Sequence, residues 1–224
     1  DPGGIAGFDY DDFASPEDGA DLRFSDWSGE TALDYEIEQW DTDGISSVWV
    51  LVPVIASTND GIRAWWGRSG AEALPCTTNG AVWGSEHLGV WHMNGDVADA
   101  TSRENHGSNF GTAAAEGITA GGRSFGGSAY IEMPANLRNL GATNALTIAC
   151  WFKSASASSA LQCLMEDGTA HNTDAVYLFA NAGANQLAAH LRNASGKSVQ
   201  LDTIAVPAIG TGWHALAHVY DGAT

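Results

Sequence analysis

The sequence contains few basic residues. Nine Lys and Arg stand against 27 Asp and Glu, which gives a formal net charge of −18 at pH 7. Binding to duplex nucleic acid requires clustered Lys and Arg that displace counterions from the phosphates, so we expect no nucleic-acid partner. The acidic balance suits a secreted protein in salty or calcium-bearing water. General solubility from a high net charge is the alternative interpretation.

Long hydrophobic runs and paired cysteine motifs are also absent. No apolar run reaches the ~18 residues of a membrane span, so we expect no direct membrane insertion. The three cysteines are Cys76, Cys150 and Cys163, and without a C-x-x-C spacing they do not indicate a zinc site. Cys150 and Cys163 lie on two successive predicted strands, whose spacing suits a hairpin. We therefore predict that these two approach closely and that Cys76 stays free.

The residues that are present indicate an all-β protein. Glycine (27) and tryptophan (9) are frequent and alternate along the chain, as turns and strands do. In residues 33–40, Leu33, Tyr35 and Ile37 alternate with acidic residues, which is the period of a half-buried strand. No convincing amphipathic helix is found. Further strands are predicted throughout the second half, at residues 129–133, 146–152, 161–165, 175–179, 186–191, 198–201 and 213–220.

Composition divides the chain into two β-sandwich domains. We predict a first domain over residues 1–70, a linker rich in small and turn-forming residues over 71–87, and a second domain over 88–224. The strands predicted at 22–24 and at 213–220 lack neighbours in the sequence. We expect a neighbouring copy or another chain to add strands there by β-augmentation. The alternative is that the first twelve residues fold back over an edge.

Short segments of the first domain resemble the bacterial domain of unknown function DUF2341. The segments that carry the resemblance are residues 7–13, 21–26, 35–38, 40–41, 48–53 and 66–67. In that family one or two strands usually precede the segment found here at 7–13. The resemblance assigns no chemistry to the domain.

The second domain resembles the laminin-G-like family. The matching segments are residues 90–93, 99–102, 105–107, 122–125, 130–134, 146–151 and 213–222. The resemblance implies a concanavalin A-like jelly roll, a fold that hosts many functions. It implies further strands beyond the last predicted one.

Oxygen-bearing residues cluster in one loop region of the second domain. Asp96, Asp99, Asn105 and the Gly107 carbonyl lie near the glycine-rich residues 121–127. Calcium takes six to eight oxygen ligands from carboxylates, amides and carbonyls, and many jelly rolls of this type hold a calcium ion in such a loop. We therefore predict a calcium site. Asx-turns at loop corners are the alternative.

Two patterns suggest a catalytic site. Glu36, Glu38 and Asp41 resemble the E-x-D-x-x-E strand of some concanavalin-like glycosidases, and alternate strand residues lie about 6.6 Å apart on one face, which suits paired carboxylates. The alternative is a solvated acidic face. Residues 122–126 fit G-x-S-x-G, but a nucleophile elbow needs a preceding strand and a following helix. We interpret that motif as a tight turn.

Aromatic and histidine residues add a binding hypothesis. Exposed tryptophans stack on the apolar faces of sugar rings. Trp49 and Trp151 alternate with apolar neighbours and are interpreted as core. The positions of other tryptophans stay open, namely Trp27, Trp40, Trp65 and Trp66. None of the seven histidines forms an H-E-x-x-H motif, and we interpret His92 and His214 as structural.

Taken together, these patterns favour a non-enzymatic binding or adhesion module that is secreted or lies on the cell surface. Its predicted partner is a glycan or another surface polymer. One alternative is a structural subunit of an extracellular fibre or surface assembly, completed by strands from a neighbour. A second alternative is a glycoside hydrolase that uses Glu36 and Glu38.

Overall fold

The chain divides into two units, residues 1–133 and 134–224. The computed structural model describes residues 8–134, 145–154, 162–167, 176–181, 186–192, 198–205 and 211–220. These residues contain fifteen strands and two short 3-10 helices, Tyr10–Asp12 and Pro75–Thr77, which confirms the predicted all-β class. None of the described residues belongs to a helix with the length and apolarity to cross a membrane.

A three-stranded antiparallel sheet opens the first unit. It consists of β1 (Arg23–Asp26), β2 (Ala32–Leu33) and β5 (Ile62–Trp65), in the order β2-β1-β5. β1 is therefore the central strand and is hydrogen-bonded on both sides. The prediction that residues 22–24 lack neighbours is wrong, and so is the same prediction for residues 213–220, which pair with residues 146–153. The partner strands of β1 are the short β2 and the distant β5.

The alternating segment forms a hairpin. β3 (Tyr35–Gln39) pairs with β4 (Ser47–Val50), with an irregularity between Ile37 and Gln39. Tyr35 is fully buried, and its hydroxyl donates a hydrogen bond to the Leu22 carbonyl. The strand predicted from the period-2 pattern is thus confirmed.

The core of the first unit gathers residues from separate parts of the sequence. Its buried members are Phe13, Leu22, Tyr35 and Cys76. Phe13 stacks on Trp66 with ring centroids 5.5 Å apart, so the segment after residue 7 packs on the core. Cys76 lies in the second 3-10 helix, within the segment predicted as a linker. That segment therefore contributes to the core of the first unit. The domain bounds given above remain a prediction.

The rest of the first unit contains two short strand pairs. β6 (Ser108–Phe110) pairs with β9 (Tyr130–Glu132), and β7 (Ala113–Glu116) pairs with β8 (Gly121–Ser124). The G-x-S-x-G serine ends β8, and no helix follows it within residues 125–134. This arrangement lacks the strand-to-helix turn of a nucleophile elbow.

The second unit contains two antiparallel sheets among its described residues. One has the order β11-β12-β13-β14 and the other pairs β10 with β15. The strand bounds are β10 Leu146–Lys153, β11 Gln162–Asp167, β12 Val176–Asn181, β13 Gln186–Arg192, β14 Ser198–Ala205 and β15 Trp213–Tyr220.

The cysteine prediction is corrected by this topology. Cys150 lies opposite Leu216 and Cys163 lies opposite Phe179, so the two cysteines are not on paired strands. Both are free thiols, as is the buried Cys76. Sequence spacing suggested a hairpin, but β10 pairs with the last strand instead of the next one.

Candidate functional site

The predicted calcium loop is organised around the Asp99 carboxylate. Its Oδ1 accepts hydrogen bonds from the backbone N–H groups of Val90 (2.9 Å) and Thr101 (3.0 Å). Its Oδ2 accepts from the Thr101 hydroxyl (2.8 Å) and the Asn105 N–H (2.9 Å). Burial alone raises the pKa of Asp99, but these donors outweigh burial and lower it. All four lone-pair sites of this carboxylate serve the loop itself.

The other predicted ligands also make local hydrogen bonds. Asp96 Oδ1 accepts from the Ala98 N–H at 3.1 Å, and the Asn105 amide donates to the Leu88 carbonyl at 2.7 Å. The Gly107 N–H donates to the loop backbone. Among the described residues, no group of three or more His, Cys, Asp or Glu side chains is arranged to hold a metal. In this arrangement the Asp99 oxygens face N–H and O–H donors, which does not fit a calcium ligand set. The calcium site remains a prediction, which the following experiment tests.

A thermal-unfolding experiment tests the calcium prediction. Calcium that binds the native state raises its melting temperature by mass action, and a chelator lowers it. The variant D96N removes a predicted charged ligand and keeps the oxygen that accepts from Ala98, whereas D43N alters an exposed turn as a control. The prediction expects the calcium response to be lost in D96N alone. An unchanged melting temperature in chelator contradicts it.

The predicted carboxylate pair lies in a covered cluster instead of a solvated face. The Glu36 side chain is 17% exposed and that of Glu38 is 3% exposed. Glu36 Oε2 accepts a hydrogen bond from Trp83 Nε1 at 2.7 Å, and Glu38 Oε2 accepts one from Trp49 Nε1 at 2.7 Å. His92 lies between them, with Nε2 3.2 Å from Glu36 Oε1 and Nδ1 3.6 Å from Glu38 Oε2. We call this arrangement the Glu36–His92–Glu38 cluster.

The cluster favours the imidazolium form of His92. Burial alone lowers the pKa of His92 because desolvation disfavours its charged form. The hydrogen bond to Glu36 and the charges of Glu36, Glu38 and Asp96 outweigh burial, so the pKa is raised. The imidazole also stacks against Trp49, with ring centroids 5.8 Å apart. Both ring nitrogens can donate only in the charged form.

These contacts favour a structural role for the carboxylates. Inverting glycosidases need space between their carboxyl groups for a water molecule and a sugar. Here both Glu36 and Glu38 are hydrogen-bonded to indole groups, and His92 bridges them. The sequence indicates the carboxylate pair but not its partners, because His92 is 56 residues from Glu36 and no local pattern links them.

The tryptophans separate into buried and exposed groups. Trp40 and Trp66 pack against the first core, whereas Trp27 and Trp65 are exposed. The interpretation of Trp49 and Trp151 as core is wrong, since both are exposed. β10 carries apolar residues on both faces, so the pattern did not reveal which face points outward.

The exposed face of β10 and β15 carries aromatic residues in the second unit. Trp151 is 55% exposed, and its cross-strand neighbour is Ala215. Beside it, the Lys153 ammonium lies 5.1 Å from the ring centroid of Trp213. Small residues flank Trp151 on this face, namely Ala149, Ala215 and Ala217. The alanines lie on one side of the indole, and Lys153 and Trp213 lie on the other.

Comparison with known families finds two matches along the chain. Residues 18–82 match the family DUF2341, a domain of unknown function. Residues 125–224 match the family Laminin_G_3, described as the concanavalin A-like lectin/glucanases superfamily. No curated protein and no solved structure gives a significant match. The chain therefore carries a DUF2341 region followed by a laminin-G-like region with the concanavalin A-like jelly-roll fold, in the predicted order.

Proposed function

We propose that the protein is a non-enzymatic glycan-binding module that acts at the cell surface or outside the cell. The concanavalin A-like superfamily includes lectins, so its fold is compatible with carbohydrate binding. The fold alone does not determine function, and the proposal therefore depends on a particular surface. That surface is the exposed β10–β15 face around Trp151.

The geometry of this face supports stacking with a sugar. An indole provides a large, rigid apolar surface at low conformational cost. Ala149 and the cross-strand Ala215 are small neighbours of Trp151, whereas Lys153 and Trp213 lie on its other side, so a sugar ring can approach the indole from the alanine side. Lys153 and Trp213 lie together at the end of the same strand pair and provide a charge for sugar hydroxyls or acidic groups. The combination supports a shallow site for a polymer.

A substitution at Trp151 tests the proposal. W151A is expected to weaken retention on the glycan that the native protein binds by about tenfold, as for a central aromatic contact in an interface. Val219 lies on the same face and is 66% exposed, so V219A removes an exposed apolar group without an aromatic ring. Affinity electrophoresis in glycan-containing gels measures both variants. Equal retention of W151A and the native protein contradicts the assignment to this face.

Assembly with neighbouring copies is a second candidate. Among the described strands, β15 pairs only with β10, and we propose its other edge as the place where a further strand adds. An added strand from another copy would satisfy those backbone groups. Light scattering across a concentration series distinguishes a monomer from a growing assembly.

The glycosidase alternative receives less support. Its two carboxylates are held by Trp49, Trp83 and His92, and their hydrogen bonds have the character of a structural network. A binding module should retain glycans without releasing new reducing ends.

A further inference from the structure

We propose that the outer face of the β2-β1-β5 sheet is a second binding surface, which takes an acidic, uronate-containing polysaccharide. The inference rests on the proposed function in treating the protein as a glycan binder. It concerns the first unit, however, and its residues are distinct from the Trp151 face.

Three side chains form the surface. Arg63 and Trp65 alternate on β5 and therefore point to the same side of the sheet. The Arg63 guanidinium lies 4.9 Å from the ring centroid of Trp27 and 6.0 Å from that of Trp65. Trp27 is 62% exposed and Trp65 is 47% exposed. We call this set the Trp27–Arg63–Trp65 platform.

Hydrogen bonds fix the platform. Trp65 Nε1 donates to the Ser25 hydroxyl at 2.9 Å, and Ser25 is buried. The turn after Trp27 is held by Asp26 Oδ1, which accepts from the Ser28 hydroxyl at 2.7 Å and from the Gly29 N–H at 3.0 Å. A side chain ordered before binding loses little conformational entropy when a ligand arrives. The platform is therefore suited to binding.

Glycines bring the backbone close to the two indoles. A Cβ atom at Gly61 would lie 3.2 Å from the Trp27 ring, and one at Gly29 would lie 3.5 Å from the Trp65 ring. Gly29 also has a φ of +84°, which side-chain-bearing residues rarely adopt. The backbone therefore lies close to both rings, Arg63 lies over the Trp27 ring, and both indoles stay partly exposed.

Two guanidinium groups give this surface a local positive charge within an acidic chain, and this local charge favours an acidic ligand. The side chains of Arg63 and Arg68 are exposed and make no hydrogen bond or ion pair to any described residue. The third arginine, Arg23, differs because its guanidinium donates to backbone carbonyls, including that of Glu72 at 2.6 Å. In a chain with only nine basic residues, two unpaired guanidinium groups beside exposed indoles favour a carboxylate-bearing ligand.

A cleft adjoins the platform. This open cleft has a volume of about 520 Å³, and Trp65 and Arg68 both line it. Glu30 lies at the same cleft and is exposed, so its charge opposes a ligand carboxylate on that side. A uronate polymer meets these conditions because its sugar rings offer apolar faces to the indoles and its carboxylates offer acceptors to the guanidinium groups.

Matched polymers test the charge requirement. The probes are polygalacturonate and its fully methyl-esterified form, which share a sugar backbone and differ in charge. Affinity electrophoresis of the whole chain is expected to show retention by polygalacturonate that is at least about fivefold stronger than by the ester and weakens with salt. Equal retention by both polymers, or no retention by polygalacturonate, overturns the proposal.

Matched variants test the platform itself. R63Q removes the charge, W27A removes an exposed ring, and I55A alters an exposed residue outside the platform. R63Q and W27A are each expected to lose at least about fivefold in polygalacturonate affinity with an unchanged melting temperature, while I55A and W151A retain it. Native-like affinity in both R63Q and W27A overturns the proposal. If W151A still weakens the binding of other glycans in that case, the proposed function stands and only this second binding surface is excluded.

Discussion

Replacing Asp21 with alanine is expected to lower the free energy of unfolding of the first unit by about 3–5 kcal/mol, since each buried donor left unsatisfied costs about 1–3 kcal/mol. The Asp21 carboxylate is 1% exposed. It accepts backbone N–H groups from Ala14 (3.0 Å), Ser15 (3.0 Å) and Gly67 (2.6 Å). One side chain thus ties the N-terminal segment to the start of β1 and the end of β5. Chemical denaturation followed by tryptophan fluorescence measures the loss.

The acid dependence of stability provides a second test of Asp21. Burial alone raises the pKa of Asp21, but the three backbone donors outweigh burial and lower it. A lowered pKa contributes stability above the unfolded value of about 3.9, and that contribution disappears as the pH falls through the folded pKa. D21N keeps one acceptor oxygen and should lose less than D21A. Its stability deficit should shrink below about pH 4, and a deficit independent of pH contradicts the account.

Replacing His92 with glutamine is expected to lower the free energy of unfolding of the first unit by about 3 kcal/mol near neutral pH, because two covered carboxylates then lose their shared cation. Glu36 and Glu38 keep their hydrogen bonds from the indoles, but no positive charge then lies between the two carboxylates. His87 contacts the Trp83 ring from outside this cluster. H87Q is therefore the control and should remain close to native stability.

The sign of the pH dependence distinguishes an electrostatic contribution of the Glu36–His92–Glu38 cluster from a contribution of side-chain packing alone. The pKa of His92 is raised in the folded state. Its contribution is fully present below the unfolded value of about 6.5 and is lost as the pH rises through the folded pKa. The native protein should lose this increment on the alkaline side, and H92Q should not. If the free energy of unfolding depends on pH in the same way in both proteins, the electrostatic contribution of His92 is contradicted.

Local patterns predicted the strands better than their partners. Alternation over residues 33–40 predicts β3, because side-chain direction in a strand is a local property. Pairing is not local, and β1 acquires β5 from almost 40 residues away. The same limit explains the error over Cys150, whose strand pairs with the last strand, β15.

The candidate sites show a similar limit. The sequence identified Glu36 and Glu38 as a pair on one face, but it did not reveal that His92 and two indoles cover them. It left Trp27 and Trp65 open and placed Trp151 in the core. Apolar residues on both sides of a strand do not show which face points outward. Both binding proposals depend on which tryptophans are exposed, and that is determined by how the strands assemble into sheets.

We propose that this chain binds glycans without cleaving them. The decisive experiment incubates the native protein with a panel of neutral and acidic polysaccharides and measures both retention and newly formed reducing ends. We expect retention by at least one polysaccharide with no increase in reducing ends. Absence of retention across the panel, or release of reducing ends that is abolished in E36Q or E38Q, would contradict it.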